Sequence, residues 1–216
     1  MSNASTRVTD EHFAYIAART TREDDFSAAL KSAARKAGIP EIWIAPEQAS
    51  FMQILLRAAR AARVLEVGTL AGYSAIMMAR ALPPGGRVTT LEFERKHADF
   101  ARAWIARSDV AGKIEVIEGD ARQSLPKLQS DTFDAAFLDA DKSSYPIYLR
   151  ESLRLVKRDG LILVDNAFAF GQLLDAAPTD PEVEAVRAFN DLVARTSELE
   201  AVIVPMGDGL WVGVRR

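Results

Sequence analysis

The sequence predicts an α/β fold: a doubly wound, mostly parallel sheet that closes on a C-terminal antiparallel hairpin and carries extra N-terminal helices. Three observations predict it. Short apolar runs rich in β-branched residues alternate with segments of helical length and spacing. The stretch before the first such run is helical in pattern, and the last two runs lie too close together for a parallel crossover.

Residues 1–60 read as helices of the same domain as the core, 61–216. Thr21 with Asp24 resembles a capping pair, Phe26–Ala37 is Ala-rich and periodic, and Gly38 is a natural stop. A short apolar connector, Ile39–Pro46, leads into a helix over Glu47–Ala59. The strand-like runs are Arg63–Val67, Arg87–Leu91, Lys113–Ile117, Phe133–Leu138 and Leu161–Val164, each read as an unbroken apolar strand covered on both faces. Right-handed crossovers then place helices on both sides of a parallel sheet. After a helix over Pro181–Arg195, the runs Ala201–Val204 and Leu210–Val214 are joined only by Pro205-Met206-Gly207-Asp208-Gly209. A link that short makes these two strands antiparallel.

Composition narrows the function classes. A chain of 216 residues suits one α/β domain, and 49% apolar residues can bury a core without staples. The absence of cysteine excludes disulfides, thiolate metal sites and a thiol nucleophile, and fits a reducing compartment. A net charge of −3 with dispersed Lys and Arg argues against nucleic acid or an anionic membrane as partner. No stretch approaches the roughly 18 apolar residues of a membrane span, and the polar start through His12 lacks a signal-peptide core. No function is read from Ser2-Asn3-Ala4. The expectation is a globular cytoplasmic protein.

The segment Val64–Ser74 is a strand, a glycine turn and a helix start. Gly68 would let a ligand approach the backbone, and Gly72 would let the chain turn tightly into the helix. The spacing is G-x-x-x-G, neither the G-x-G-x-x-G of NAD sites nor a P-loop, so no pyrophosphate is expected. The glycines alone are equally a packing turn. Glu92 weighs against that: it ends the second strand about two dozen residues on, where a carboxylate can bind both hydroxyls of a ribose. Glu118-Gly119-Asp120-Ala121 follows the third strand on the same edge, where an adenine would lie. An adenosine cofactor is expected there.

Two further strand ends carry acidic groups, Asp139-Ala140-Asp141-Lys142 and Asp165-Asn166. Carboxyl ends of parallel strands line one crevice, so these side chains should converge. Asp139, Asp165 and Asn166 offer only oxygen, which suits Mg²⁺, Ca²⁺ or Mn²⁺. With His12 and His97 the only histidines, zinc is not the expected metal. Either pair alone is more simply a helix or turn cap; both together beside the glycine loop favour a site.

The chain resembles the cation-dependent O-methyltransferases, a group that includes catechol and caffeoyl-CoA O-methyltransferases and small bacterial relatives. The resemblance runs from about Ile44 to Gly213. It is strongest in Ile44-Ala45-Pro46-Glu47-Gln48, Leu65-Glu66-Val67-Gly68 with Gly72-Tyr73-Ser74, Phe137–Lys142 with Tyr145, and Val164-Asp165-Asn166. It implies the class I methyltransferase (Rossmann-like) layout and S-adenosylmethionine (SAM) as cofactor. It further implies SAM contacts from Ile44, Glu66, Gly68, Thr69, Ser74, Glu92, Ala121, Asp139 and Asp141. A divalent cation, Mg²⁺ first with Ca²⁺ or Mn²⁺ as alternatives, would be held by Asp139, Asp165 and Asn166. Lys142 would be the general base, and a homodimer is the usual assembly. Ala167–Gly171 departs from the Trp and small polar residue common in bacterial relatives, so the acceptor remains open.

The reaction expected from the resemblance is methyl transfer from SAM to a hydroxyl of a small vicinal-diol phenol. A phenol has a pKa of about 10, so a cation and a base have a task at neutral pH. Trp43, Phe168 and Phe170 could form an apolar lid. The competing readings are a metal-independent small-molecule methyltransferase, and a non-catalytic adenosine-cofactor binder or NAD oxidoreductase. G-x-x-x-G and the terminal hairpin weigh against NAD, and the full Asp/Asp/Asn/Lys set weighs against a silent binder.

Overall fold

The computed structural model describes residues 8–20 and 23–216; the readings made on Ser2-Asn3-Ala4 and on Thr21 fall outside them. Three helices come first: α1 (Asp10–Ala17), α2 (Asp25–Lys36) and α3 (Pro46–Ala58). The Asp24 carboxylate caps α2 by accepting from the Ser27 N–H at 2.8 Å, and Gly38, at φ +68°, ends that stretch as expected. Pro46 opens α3, where a missing N–H costs nothing.

The alternation follows: β1 (Arg63–Val67), α4 (Tyr73–Ala81), β2 (Arg87–Glu92), α5 (Arg95–Ile105), β3 (Ile114–Glu118), α6 (Ala121–Ser124), β4 (Phe133–Leu138), α7 (Tyr145–Leu155), β5 (Val156–Val164), α8 (Val183–Arg195), β6 (Leu199–Val204) and β7 (Leu210–Arg215). They form one sheet of order β3-β2-β1-β4-β5-β7-β6. The first five strands are parallel, and β7 runs antiparallel to both β5 and β6, as the short final link requires. Strand order reverses between β1 and β4, which opens a crevice at their carboxyl ends.

Alternation along the strands builds two apolar layers. Val64, Ala135, Phe137 and Leu163 pack with Leu30 of α2, Met52 and Leu56 of α3, and Ile76 of α4. Leu65, Val67, Ala136, Leu138 and Val164 face the other way, onto Tyr145 and Leu149 of α7 and Phe189 of α8. The N-terminal helices α2 and α3 thus share a core with the sheet. Among the described residues no helix is long and apolar enough to cross a membrane.

Three details differ from the sequence expectation. First, β3 is an edge strand with Glu115 and Glu118 exposed, so it is not covered on both faces. Second, the β3–β4 crossover has only the short α6 and a 3₁₀ turn, Leu125–Lys127, where Pro126 removes a donor a longer helix would need. Third, β5 begins at Val156 rather than Leu161. Val156 pairs with Phe133, then the chain bulges through Lys157–Gly160 and re-registers with Leu161 opposite Ala135.

The bulge depends on Gly160, where an added Cβ would lie 2.5 Å from Val156 Cγ1 and 2.8 Å from the Asp134 carbonyl oxygen. Asp134 also anchors β1, accepting from the Ala62 and Arg63 N–H groups at 2.8 Å each. Gly160→Ala is expected to lower the unfolding free energy by about 1–3 kcal/mol, the scale of overpacking, measured by urea denaturation.

Candidate active site

A cavity of about 890 Å³ lies over the carboxyl ends of β1, β2, β4 and β5, large enough for a cofactor and a small acceptor together. Its floor is the turn after β1. Gly68 has φ +101°, and an added Cβ would sit 1.9 Å from the Asp139 carbonyl oxygen. The end of β4 therefore requires a glycine here, and the same residue lines the cavity. Gly72, at φ +84°, does turn the chain into α4, and a Cβ there would press on Ala101 of α5 at 3.3 Å.

Glu92 is buried at the end of β2 and holds this turn. Its Oε2 accepts from the Thr69 and Leu70 N–H groups at 3.1 and 2.7 Å, and Oε1 accepts from the Glu94 N–H at 2.9 Å. Acceptor capacity remains on a carboxylate with about four lone-pair sites, so Glu92 can still meet ribose hydroxyls in the cavity it lines. Thr69, Ser74, Ala121, Asp141 and Ile44 also line the cavity. Asp141 accepts from the Tyr148 hydroxyl at 2.6 Å, and the Thr69 hydroxyl meets that of Thr90.

Glu66 is placed differently. It is fully buried behind the wall rather than on the cavity surface, and reaches the cavity only through Ser74, whose hydroxyl it accepts. Its second oxygen, Oε2, has no partner. Burial pushes its carboxyl up to about 8; the Ser74 and Thr90 hydroxyls oppose the rise, and the charges of Asp139 and Glu92 add to it.

The acidic strand ends converge as expected. The Asp139 N–H donates to the Val67 carbonyl at 2.9 Å and the Asp165 N–H to the Leu138 carbonyl at 3.0 Å, continuing the ladder past the strands. Asp139, Asp165, Asn166 and Lys142 all line the same cavity as Glu92. Asp165 is buried, and its Oδ1 accepts from Gln48 Nε2 at 2.6 Å. Burial raises its pKa, and the negative charge of Asp139 raises it further. Asn166 adopts φ +63° and donates through Nδ2 to Asp208 Oδ2 at 3.0 Å.

Lys142 is buried, with Nζ donating to Asp139 Oδ1 at 3.2 Å and to the Tyr145 hydroxyl at 2.8 Å. Burial holds the Tyr145 phenol well above its usual range, so it stays protonated and donates onward to the Asp165 carbonyl at 3.3 Å. The Lys142 N–H is fixed by Glu182 Oε1 at 3.1 Å. Of the three expected lid aromatics, Trp43 and Phe170 line the cavity, whereas Phe168 covers Gly209, where a Cβ would lie 2.8 Å from its ring.

Among the described residues no group of three or more His, Cys, Asp and Glu gathers as metal ligands. The expected set is instead two carboxylates and an amide. It fits a hard divalent cation in donor chemistry: every donor is oxygen, and the buried Asp165 stands beside the charge of Asp139 with a repulsion that a cation would relieve.

Sequence reasoning gave no role to Gln48, Tyr145, Tyr148, Glu182 or Asp208. Gln48 and Tyr145 stand inside the quoted motifs, and Asp208 lies between two glycines of a turn; their partners on the far strands were the missing information.

A carboxyl whose folded pKa lies above its unfolded one binds its proton more tightly in the folded chain. The stability this gives is complete below the ordinary value of 4.5 and is lost as pH rises towards 8. Glu66→Gln is therefore expected to gain stability relative to the parent chain steadily between pH 5 and 8, measured by denaturation at stepped pH.

The comparisons agree with this architecture. The O-methyltransferase family model matches residues 18–216. The catechol O-methyltransferase of Niastella koreensis is 39% identical over 89% of this chain and 88% of its own length. That of Mycobacterium tuberculosis is 37% identical over 93% and 91%. The crystal structure of a Bacillus cereus O-methyltransferase in complex with SAH superposes with a TM-score of 0.85 at 33% identity, covering 94% of this chain and 96% of that one. With a family model matched over residues 18–216 and relatives matched over nearly their full length, the chain belongs to the O-methyltransferase family.

Proposed function

We propose that the chain transfers a methyl group from SAM to one hydroxyl of a small vicinal-diol phenol, with a divalent cation at Asp139, Asp165 and Asn166 and with Lys142 as the proton acceptor. The observation that carries this reading is the single cavity that joins Glu92 and the Gly68 turn to those four side chains. The catechol O-methyltransferase names of two relatives support the acceptor class. The whole chain is read as one cytoplasmic domain from its length and composition, and as a homodimer from the family resemblance.

In the reaction the bond from sulfur to methyl breaks as the bond from oxygen to methyl forms, and the phenol proton leaves to Lys142 Nζ. Glu92 holds the cofactor edge by fixing the Thr69–Leu70 backbone, and Ser74 presents its hydroxyl with Glu66 behind it. Tyr145 and Asp139 hold Lys142 Nζ at the carboxylate end, where the amine must be free of its own proton to accept another. Trp43 and Phe170 line an apolar part of the wall that would exclude water from a flat ring. A divalent cation, when bound, supplies positive charge that lowers the cost of ionising the phenol.

One observation favours the metal-independent reading. Lys142 already pairs with Asp139, so the chain can neutralise that carboxylate by itself.

Single-turnover rates with a catechol separate the two. Excess EDTA is expected to abolish transfer by the parent chain, with Mg²⁺ or Mn²⁺ restoring it. Lys142→Met with metal is expected to be slower by about 10²–10⁴-fold, and less so for more acidic phenols. Full activity in excess chelator promotes the metal-independent reading.

A further inference from the structure

We propose that Asp208, in the turn between β6 and β7, is a positioning residue that orients the Asn166 amide and the aromatic wall of the acceptor pocket as one unit. The proposal rests on the cation-assisted reading above. The Asp208 carboxylate takes three hydrogen bonds from one short loop: Asn166 Nδ2 at 3.0 Å and the Phe170 N–H at 2.8 Å, both to Oδ2, and the Gly171 N–H at 3.1 Å to Oδ1. Backbone bonds fasten the same two segments, with the Ala167 N–H donating to the Gly209 carbonyl and the Phe168 N–H to the Asp208 carbonyl, each at 2.8 Å.

The loop is one that needs an external anchor. Asn166, Ala169 and Phe170 have φ of +63°, +53° and +58°, and Gly171 has +77°. Side-chain-bearing residues rarely adopt that region unless their surroundings enforce it. The Asp208 carboxylate supplies an acceptor at both ends of this run.

The chemistry of the acceptor then decides the orientation of Asn166. A carboxylate only accepts, so Asn166 must turn its NH₂ to Asp208, which leaves its oxygen as the amide atom available to a hard cation. The opposite rotamer would set two oxygens against each other. The same carboxylate fixes the Phe170 backbone, and the Phe170 ring centroid lies 5.9 Å from Lys142 Nζ. The neighbouring Gly207 braces the other strand-end ligand: an added Cβ would fall 2.3 Å from Gln48 Oε1, and Gln48 is the residue that holds Asp165. One turn, itself part of the cavity wall, thus backs both the Asp165 and Asn166 side chains.

The test uses the full chain without cofactor and reads Mn²⁺ affinity by EPR of the free ion, SAH affinity by calorimetry, and thermal stability. Asp208→Asn keeps the shape but can also donate, so it no longer dictates how Asn166 lies. It is expected to weaken Mn²⁺ binding about 10–100-fold, the usual effect of losing an outer partner of a ligand, with SAH affinity unchanged. Asp208→Glu keeps an acceptor-only group and is expected to recover part of the Mn²⁺ affinity. Because Asp208 acts through Asn166, Asp208→Asn should add little to the loss already caused by Asn166→Ala. Parent-like Mn²⁺ affinity in a folded Asp208→Asn chain, or losses that add fully in the double variant, would overturn the proposal while leaving the cation reading in place. Failure of the parent chain to bind Mn²⁺ would overturn both. If Asp208→Asn does not fold, Asp208→Glu carries the same decision: affinity below that of Asn166→Ala refutes the role.

Discussion

Where β1 and β4 end side by side, Gly68 leaves no side chain against the Asp139 carbonyl, and a single added carbon would stand 1.9 Å from that oxygen. The site depends on this close approach. It lets the turn after β1 and the acidic end of β4 share one wall, so that Glu92 and the Asp139, Asp165 and Asn166 side chains open into the same cavity. Glu92 then fixes the turn from the β2 side by accepting two of its amides, and the ladder bond from Asp139 to Val67 fixes it from the β4 side.

The second constraint is charge. Glu66, Glu92, Asp139 and Asp165 lie close enough that burial and mutual repulsion raise the carboxyls of Glu66 and Asp165. Against them the wall sets Lys142, held by Asp139 and Tyr145. A cavity with this surplus of acid is prepared for positive guests, and both a sulfonium cofactor and a divalent cation are of that kind. The surplus costs folding stability, and the buried Glu66 carboxyl contributes to that cost increasingly as pH rises from 4.5 towards 8.

Much of this was legible in the sequence because it is local. The five parallel strands, the final hairpin and the acidic pairs each occupy a few consecutive residues, and doubly wound topology brings strand ends together without further information. What escaped was the work done across the sheet. Gly68 makes room for the neighbouring strand as well as lining the cavity, Glu66 lies behind the cavity wall, and Phe168 packs on a turn instead of lining the pocket. The edge position of β3 and the bulge that starts β5 likewise follow from pairing partners distant in the chain. Asp208 is the extreme case: its spacing to Asn166 of 42 residues hid a contact that only the β6–β7 turn creates.

We propose that one cavity holds a cation and an adenosine cofactor side by side. Anomalous diffraction from a crystal grown with Mn²⁺ and SAH decides between the two outcomes. A manganese peak is expected within coordinating distance of Asp139, Asp165 and Asn166, with the SAH ribose at Glu92. SAH bound at Glu92 with no peak at those three residues, and Lys142 still paired with Asp139, would contradict it.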